Sequence, residues 1–395
     1  MNTKLSARVQ AVKPSPTLAV TARAAEMRAA GKDVIGLGAG EPDFDTPAHI
    51  KEAAIKAIQD GFTKYTAVDG TPGLKRAIIA KFKRDNGLEY EPSQILVSCG
   101  GKQSFYNLAQ AILDPGDEVI IPVPYWVSYP DMSILAGGVP VFATGTAEQN
   151  FKIKASQLAA AITEKTKLVV INSPSNPTGI AYSADELAEL GQVLLQHPRI
   201  VVATDDMYEH IRWASEPFVN ILNACPALAD RTLVLNGVSK AYSMTGWRIG
   251  YAGGPENIIK AMKKIQSQST SNPTSISQVA AQEALDGPQE CIQEMVLAFK
   301  ERHDYVLDRL NRIPGIECLP SDGTFYLFPS VRNALERVQG VNNDVELAEY
   351  LIEHAGVALV PGSAFGLAGH VRLSIATSMD NLRNALDRLE RVLTA

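Results

Sequence analysis

From about residue 95 the chain alternates short, continuous apolar runs with stretches of helical spacing. Ile95-Leu96-Val97 is followed by a helix-like segment from Gln103 to Leu113, and then by Glu118-Val119-Ile120-Ile121. Lys167 to Ile171, Ile200 to Ala203 and Thr232 to Leu235 are further runs of strand length, and Ser183 to Gln196 has helical spacing behind a serine placed to cap it. Apolar runs without polar alternation are covered on both faces, so the pattern predicts a mostly parallel α/β sheet. After about residue 290 the rhythm changes. A long charged helix (Gln289 to Arg312) leads to strand-like Ile316 to Leu319, a turn at Ser321-Asp322-Gly323 and a strand from Phe325 to Phe328. A helix from Val345 to His354, strands over Val357 to Val360 and His370 to Ile375, and a closing helix from Asp380 to Leu393 complete what reads as a second, smaller α+β domain.

Composition narrows the class. With 395 residues, 46% apolar and 20% charged, the chain has room for two or three domains, or one large α/β domain with an appendage, around a substantial core. Lys plus Arg number 37 against 43 Asp plus Glu, a net charge of -6 without a basic stripe, so nucleic acid is not an expected partner. No run approaches the roughly 18 apolar residues of a membrane span, and Met1 to Gln10 is polar. Neither a membrane helix nor a signal peptide is expected, and the cytoplasm is the default address. Cys99, Cys225, Cys291 and Cys318 show no C-x-x-C pairing and the six histidines no H-E-x-x-H, so no zinc site or disulfide framework is expected.

Candidate chemistry gathers where strands end, which is where α/β sheets bind ligands. The densest stretch runs from Val238 through Ser239, Lys240, Arg248 and Tyr251. A lysine there, among small and polar residues, can be desolvated enough to form a Schiff base, while Ser239 and Arg248 could clamp a phosphate. Ser98-Cys99-Gly100-Gly101-Lys102-Gln103 follows one strand and opens a helix, so it is either a phosphate-holding helix N-terminus or an ordinary turn. In Asn172 to Gly179, two prolines fix a rigid turn presenting Asn176. In Thr204 to Glu209, Asp205 either caps the next turn or faces a cation such as a protonated pyridine nitrogen. The Gly-rich Gly36 to Asp43 is not a dinucleotide loop, because Glu41 stands where the last fingerprint glycine belongs.

Taken in order, Gly40-Glu41-Pro42-Asp43, Pro124-Tyr125-Trp126, Asn172 to Gly179, Asp205 to Tyr208, Ser239-Lys240, Arg248 and Val371-Arg372-Leu373-Ser374 resemble the motif set of the fold-type I, class I pyridoxal-phosphate aminotransferases. Val12-Lys13-Pro14-Ser15, Gly100 to Gln103 and Ser128-Tyr129-Pro130 look most like the bacterial aspartate aminotransferase branch, some of whose members also act on prephenate. The resemblance implies a large domain over 46–289 with a seven-stranded, mostly parallel sheet. It implies a small domain built from 1–45 and 290–395, and two active sites at a homodimer interface.

It also implies roles. Lys240 would hold pyridoxal 5'-phosphate as a Schiff base and later shuttle the proton. Asp205 would pair with the pyridine nitrogen, Tyr208 and Asn176 would bond the ring oxygen, and Trp126 would stack on the ring. Gly101, Lys102 through its backbone, Ser239 and Arg248 would hold the phosphate, with Tyr65 supplied by the neighbouring subunit. Arg372 would fork the substrate α-carboxylate, which Asn176 and Gly40 also touch. The Lys102 side chain would either read a distal carboxylate or cap its helix, and Ser15 and Thr17 could add hydrogen bonds. Asp206 is expected to be a capping or surface residue. The chain departs from the better-known branch in the loop Gln266 to Ser275, which offers no arginine for a distal carboxylate. The implied reaction is a ping-pong transamination, most simply of aspartate or glutamate. The alternatives are an aromatic or prephenate aminotransferase or a β-lyase on the same scaffold, and, from another class, a non-catalytic aminotransferase-like ligand sensor. The sensor is disfavoured because no helix-turn-helix extension precedes the first motifs.

Overall fold

A computed structural model describes residues 3–394. Its main sheet has seven strands in the order Ile95–Ser98, Gly250–Gly253, Thr232–Gly237, Val201–Asp205, Thr166–Asn172, Glu118–Val123 and Val139–Thr144. Only Gly250–Gly253 runs against the rest, antiparallel to both its neighbours. The apolar runs are buried on two sides. Val169, Ile171, Val202 and Val234 join one hydrophobic cluster, and Leu168, Val170, Val201, Ala203, Leu233 and Leu235 join another on the opposite face. Each such Val, Leu or Ile side chain contributes about 1.5–3 kcal/mol by leaving water. On the first face lies the helix Ala184–Leu195, through Leu187, Leu190 and Leu194. Ser183 caps it as expected, accepting from the Glu186 backbone N–H. The helices Gly101–Ile112 and Glu256–Ser267 cover the second face through Leu108, Ile259 and Met262.

Two strands of the main sheet were not expected. Val139–Thr144 is an edge strand only partly buried, and Gly250–Gly253 carries two glycines in four residues, so neither shows the apolar run that marks an interior strand. Gly250 is nevertheless required where it stands: a Cβ there would lie 2.2 Å from the Gly101 nitrogen.

A third hydrophobic cluster combines Ile35 and Leu37 with the helix Glu290–Leu310, the helix Asp344–His354 and the closing helix Met379–Thr394. Here the strand expected over Val357 to Val360 divides. Val357–Ala358 pairs in parallel with Ile35–Gly36, whereas Val360–Pro361 pairs with Val371–Ser374, which in turn pairs with Tyr326–Leu327. The strand expected over Ile316 to Leu319 does not form. Only an isolated bridge joins Glu317 to Ser330.

Candidate active site

Six strands of the main sheet end at one edge, and the reversed strand begins there. That topology collects four of the motifs: Gly101 after Ser98, Trp126 after Val123, Asn176 after Asn172 and Lys240 after Gly237. Asp205 is itself the last residue of the central strand. Arg248 reaches the same edge because it lies two residues before the reversed strand. The segments flanking the third hydrophobic cluster contribute Gly40, Tyr326 and Arg372, and the helix Pro16–Ala29 brings Ser15 and Thr17. All of these residues line one cavity of about 440 Å³.

Within it the Lys240 Nζ donates to the Gly40 carbonyl at 2.6 Å. Burial pushes this amine down to about 8, against the opposing pull of Glu41. Asp205 Oδ2 accepts from the Tyr129 hydroxyl at 2.6 Å and Oδ1 from the Met207 backbone N–H at 3.3 Å. Burial raises its proton affinity and the Tyr129 bond opposes the rise. The Tyr208 and Tyr326 hydroxyls share a hydrogen bond of 3.2 Å, and burial holds the Tyr208 phenol well above its ordinary range. Arg372 is buried. Its Nη1 donates to Asn176 Oδ1 at 2.9 Å and its Nη2 to the Gly38 carbonyl at 2.8 Å, while Nε has no partner among the described residues. The guanidinium lies 4.3 Å from the Tyr326 ring centre and 4.9 Å from that of Phe365. Its partners are neutral, so a charged guanidinium faces the cavity without a carboxylate to balance it.

The other end is built for an anion. Arg248 sits at φ 58°, strained for a residue with a Cβ, and donates to the carbonyls of Thr245 at 2.9 Å and Cys99 at 3.4 Å. Beside it, Gly100 at φ 88° opens the helix Gly101–Ile112; a Cβ on Gly100 would stand 2.2 Å from Arg248 Nη2. Ser239 and the first helical residues complete a cup in which neutral donors and one cation converge. Lys102 Nζ lies 5.3 Å from the centre of the Trp126 ring, and burial lowers its proton affinity, helped by the Arg248 charge. Altogether four cations and two carboxylates line the cavity. A phosphorylated aldehyde fits this donor set: an anion cup, a buried amine of lowered proton affinity, and a carboxylate at the end of the central strand.

Two expectations need correcting or placing. Tyr65 is 93% exposed and lies outside the cavity lining of this chain. Asp206 is no surface residue. It is 1% exposed, accepts from Thr204 Oγ1 at 2.6 Å and Asn220 Nδ2 at 2.9 Å, and is pushed up to about 7 by burial and by Glu209. It belongs to a buried polar layer beneath the cavity, in which Lys81 donates to Glu209 and to Asn86. The sequence reading missed Tyr326 and gave Tyr129 and Asn172 no role. Asn172 Nδ2 donates to the Asp205 carbonyl at 2.9 Å while its Oδ1 accepts from the Asn176 N–H, tying two motifs together. A signal existed only for Asn172, at the head of its turn; which face of Phe325 to Phe328 meets the cavity is not readable from alternation.

Comparison with known proteins agrees with this geometry. The family model described as "Aminotransferase class I and II" matches residues 32–389. An aspartate/prephenate aminotransferase of Nitrosomonas europaea is 61% identical over 99% of this chain and 100% of its own. The aspartate aminotransferase of Rhizobium meliloti, 50% identical, superposes with a TM-score of 0.96 over 100% of this chain and 99% of that one. The aspartate aminotransferase of Thermus thermophilus with maleate does so at 0.93, with 44% identity, over 99% of this chain and 100% of that one. The sheet with its helices is the fold-type I architecture of those structures, and the chain belongs to the class I and II aminotransferase family.

Proposed function

We propose that this aminotransferase exchanges an amino group between aspartate or glutamate and a 2-oxo acid, by a ping-pong sequence, with pyridoxal 5'-phosphate held in the cavity. The observation that carries the reading is the Lys240 amine, lowered to about 8, in one cavity with the Asp205 carboxylate and the uncompensated Arg372. When bound, pyridoxal phosphate supplies an electron sink for the pair released at the substrate Cα. The chain's residues do the rest. Arg248, Ser239 and the backbone N–H groups of Gly101 and Lys102 hold the phosphate. Asp205 keeps a proton on the ring nitrogen, Tyr208 and Asn176 bond the ring hydroxyl, and Trp126 covers the ring face. Arg372, helped by Asn176 and Gly40, orients the α-carboxylate so that the Cα–H bond faces Lys240, whose Nζ, once free, takes that proton and returns it on the other side of the reaction.

For the substrate's far end, Lys102 is the cation not tied to a hydrogen-bonded partner in the cavity wall, and Ser15 and Thr17 line the same cavity. The relatives' names support a dicarboxylic substrate, since maleate, aspartate and prephenate each carry two carboxylates. Prephenate is therefore a second acceptor in this reading. The assembly we propose is a cytoplasmic homodimer in which the partner lends its Tyr65 to the phosphate end, with 46–289 as the cofactor domain and 1–45 with 290–395 as the small domain.

A half-reaction survey tests this: cofactor-loaded protein is mixed with single amino acids and the bound cofactor's absorbance is followed. Aspartate and glutamate should bleach it quickly and yield oxaloacetate and 2-oxoglutarate. Lys240→Ala should keep the cofactor but lose turnover by orders of magnitude. Ammonia and pyruvate as products would replace transamination by elimination, and near-normal turnover of Lys240→Ala would remove Lys240 from the chemistry.

A further inference from the structure

Tyr129 stands at the start of the helix Ser128–Leu135, and its side chain is 1% exposed. Its ring is clamped between Phe105, at 5.0 Å between ring centres, and the edge-on Trp126 at 5.2 Å. Ser133 Oγ donates to its carbonyl at 2.8 Å, fixing the backbone from which the ring projects. The hydroxyl so aimed donates to Asp205 Oδ2 at 2.6 Å, within the range of charge-assisted O–H to carboxylate bonds. The other carboxylate oxygen has only the longer bond from Met207 N–H at 3.3 Å. Tyr129 thus supplies the shorter bond of the two.

We infer that Tyr129 is a positioning residue, which holds the Asp205 carboxylate ionised and fixed in orientation, and so sets how firmly Asp205 keeps a proton on the cofactor ring. The inference rests on the proposed function, in which Asp205 meets the ring nitrogen. Burial alone would favour the protonated carboxylic acid, and a protonated Asp205 could not stabilise a pyridinium. A donor of one hydrogen bond, locked by aromatic packing, counters that tendency without bringing in a second charge that would repel the ring cation. A lysine or arginine in its place would do the first and undo the second.

The test is a double-mutant cycle between Tyr129→Phe, which removes the hydroxyl and keeps the ring, and Asp205→Asn, which removes the charge and keeps the shape. Each protein is titrated with pyridoxal phosphate for its dissociation constant. The absorbance of the bound cofactor is then followed against pH, and thermal melts of the cofactor-free proteins report folding. Tyr129→Phe should weaken cofactor binding by about 10-fold or more, the worth of a hydrogen bond to a charged group. It should also move the pH midpoint of the absorbance downward, because a carboxylate that has lost the bond favouring its ionised form gives weaker support to a neighbouring cation's proton. On the Asp205→Asn background the same substitution should change neither quantity. Equal losses on both backgrounds, or a lowered melting temperature with an unmoved pH midpoint, would overturn the inference and leave Tyr129 a packing residue. A wild-type protein that took up no pyridoxal phosphate would overturn the proposed function as well. Saturable uptake by the wild type together with additive losses sinks the Tyr129 assignment alone.

Discussion

Arg372 and Lys102 are cations on the same cavity, held in opposite ways. Arg372 is locked by two hydrogen bonds and two aromatic rings, so its orientation is set before any ligand arrives. Lys102 is an exposed residue with only the Trp126 face near its ammonium, which leaves it able to follow a side chain of variable length. A charged hydrogen bond in such a site is worth about 1.5–3 kcal/mol, or roughly 10- to 150-fold. Lys102→Ala should therefore lower kcat/KM for aspartate by about that factor while leaving alanine nearly unchanged; equal losses for both would place Lys102 at the phosphate end instead. The neighbouring acids Asp205 and Asp206 show where single-residue reading stops. The sequence places a carboxylate at a strand end, but which acid meets the cavity and which the buried layer depends on the turn that follows. Asp206 carries its own signature. Its folded value, about 7 against an ordinary 3.8, means the folded protein holds a proton that the unfolded chain has released between those limits. Wild-type stability should accordingly fall as pH rises through that window. Asp206→Asn, which cannot titrate, should gain in melting temperature over the wild type by several degrees between about pH 4 and pH 7, with no such trend below it. A constant difference across the range would mean Asp206 is ionised throughout.

Strands and helices were legible where burial on both faces left continuous apolar runs, and illegible where it did not. Thr166–Asn172 and Thr232–Gly237 were readable to within two residues at either end. Gly250–Gly253 was not, because its glycines serve close approach to the turn before Gly101 rather than strand propensity. That pairing places Arg248 beside Gly100 and the Cys99 carbonyl, so the unreadable strand is the one that completes this cluster of donors. Gly100 is the hinge of the arrangement. Its φ of 88° with ψ 158° is a glycine conformation, and its hydrogen fits where a methyl would strike the Arg248 guanidinium. Gly100→Ala should destabilise the fold by about 1–3 kcal/mol and, by displacing Arg248, weaken pyridoxal phosphate binding about 10-fold beyond any effect on pyridoxal, which lacks the phosphate. Titrating both ligands into the variant distinguishes the two: parallel losses would mean the turn as a whole has shifted.

Across the whole molecule, the order of motifs carried more than any motif did. Trp126, Arg372 and Ser239 are individually ordinary, and only their sequence along the chain pointed to one site, which the parallel sheet then assembles from residues up to several hundred positions apart. What stayed out of reach was contact between segments far apart along the chain. The Tyr208–Tyr326 and Arg372–Asn176 bonds join segments separated by more than a hundred residues, and no local pattern encodes them. The imbalance of charge in the cavity has a kinetic consequence. The chain carries a net charge of -6, so a dianion is repelled at long range, yet four cations against two carboxylates lining the cavity reverse the field within about one Debye length, roughly 8–10 Å at physiological salt. Encounter with a phosphate ester is then steered over the last nanometre alone. Stopped-flow uptake of pyridoxal phosphate by the cofactor-free protein should slow as salt is raised, while uptake of pyridoxal should not. Matching salt slopes for the two would mean that capture is governed by diffusion and fit, and that the cations act only after contact.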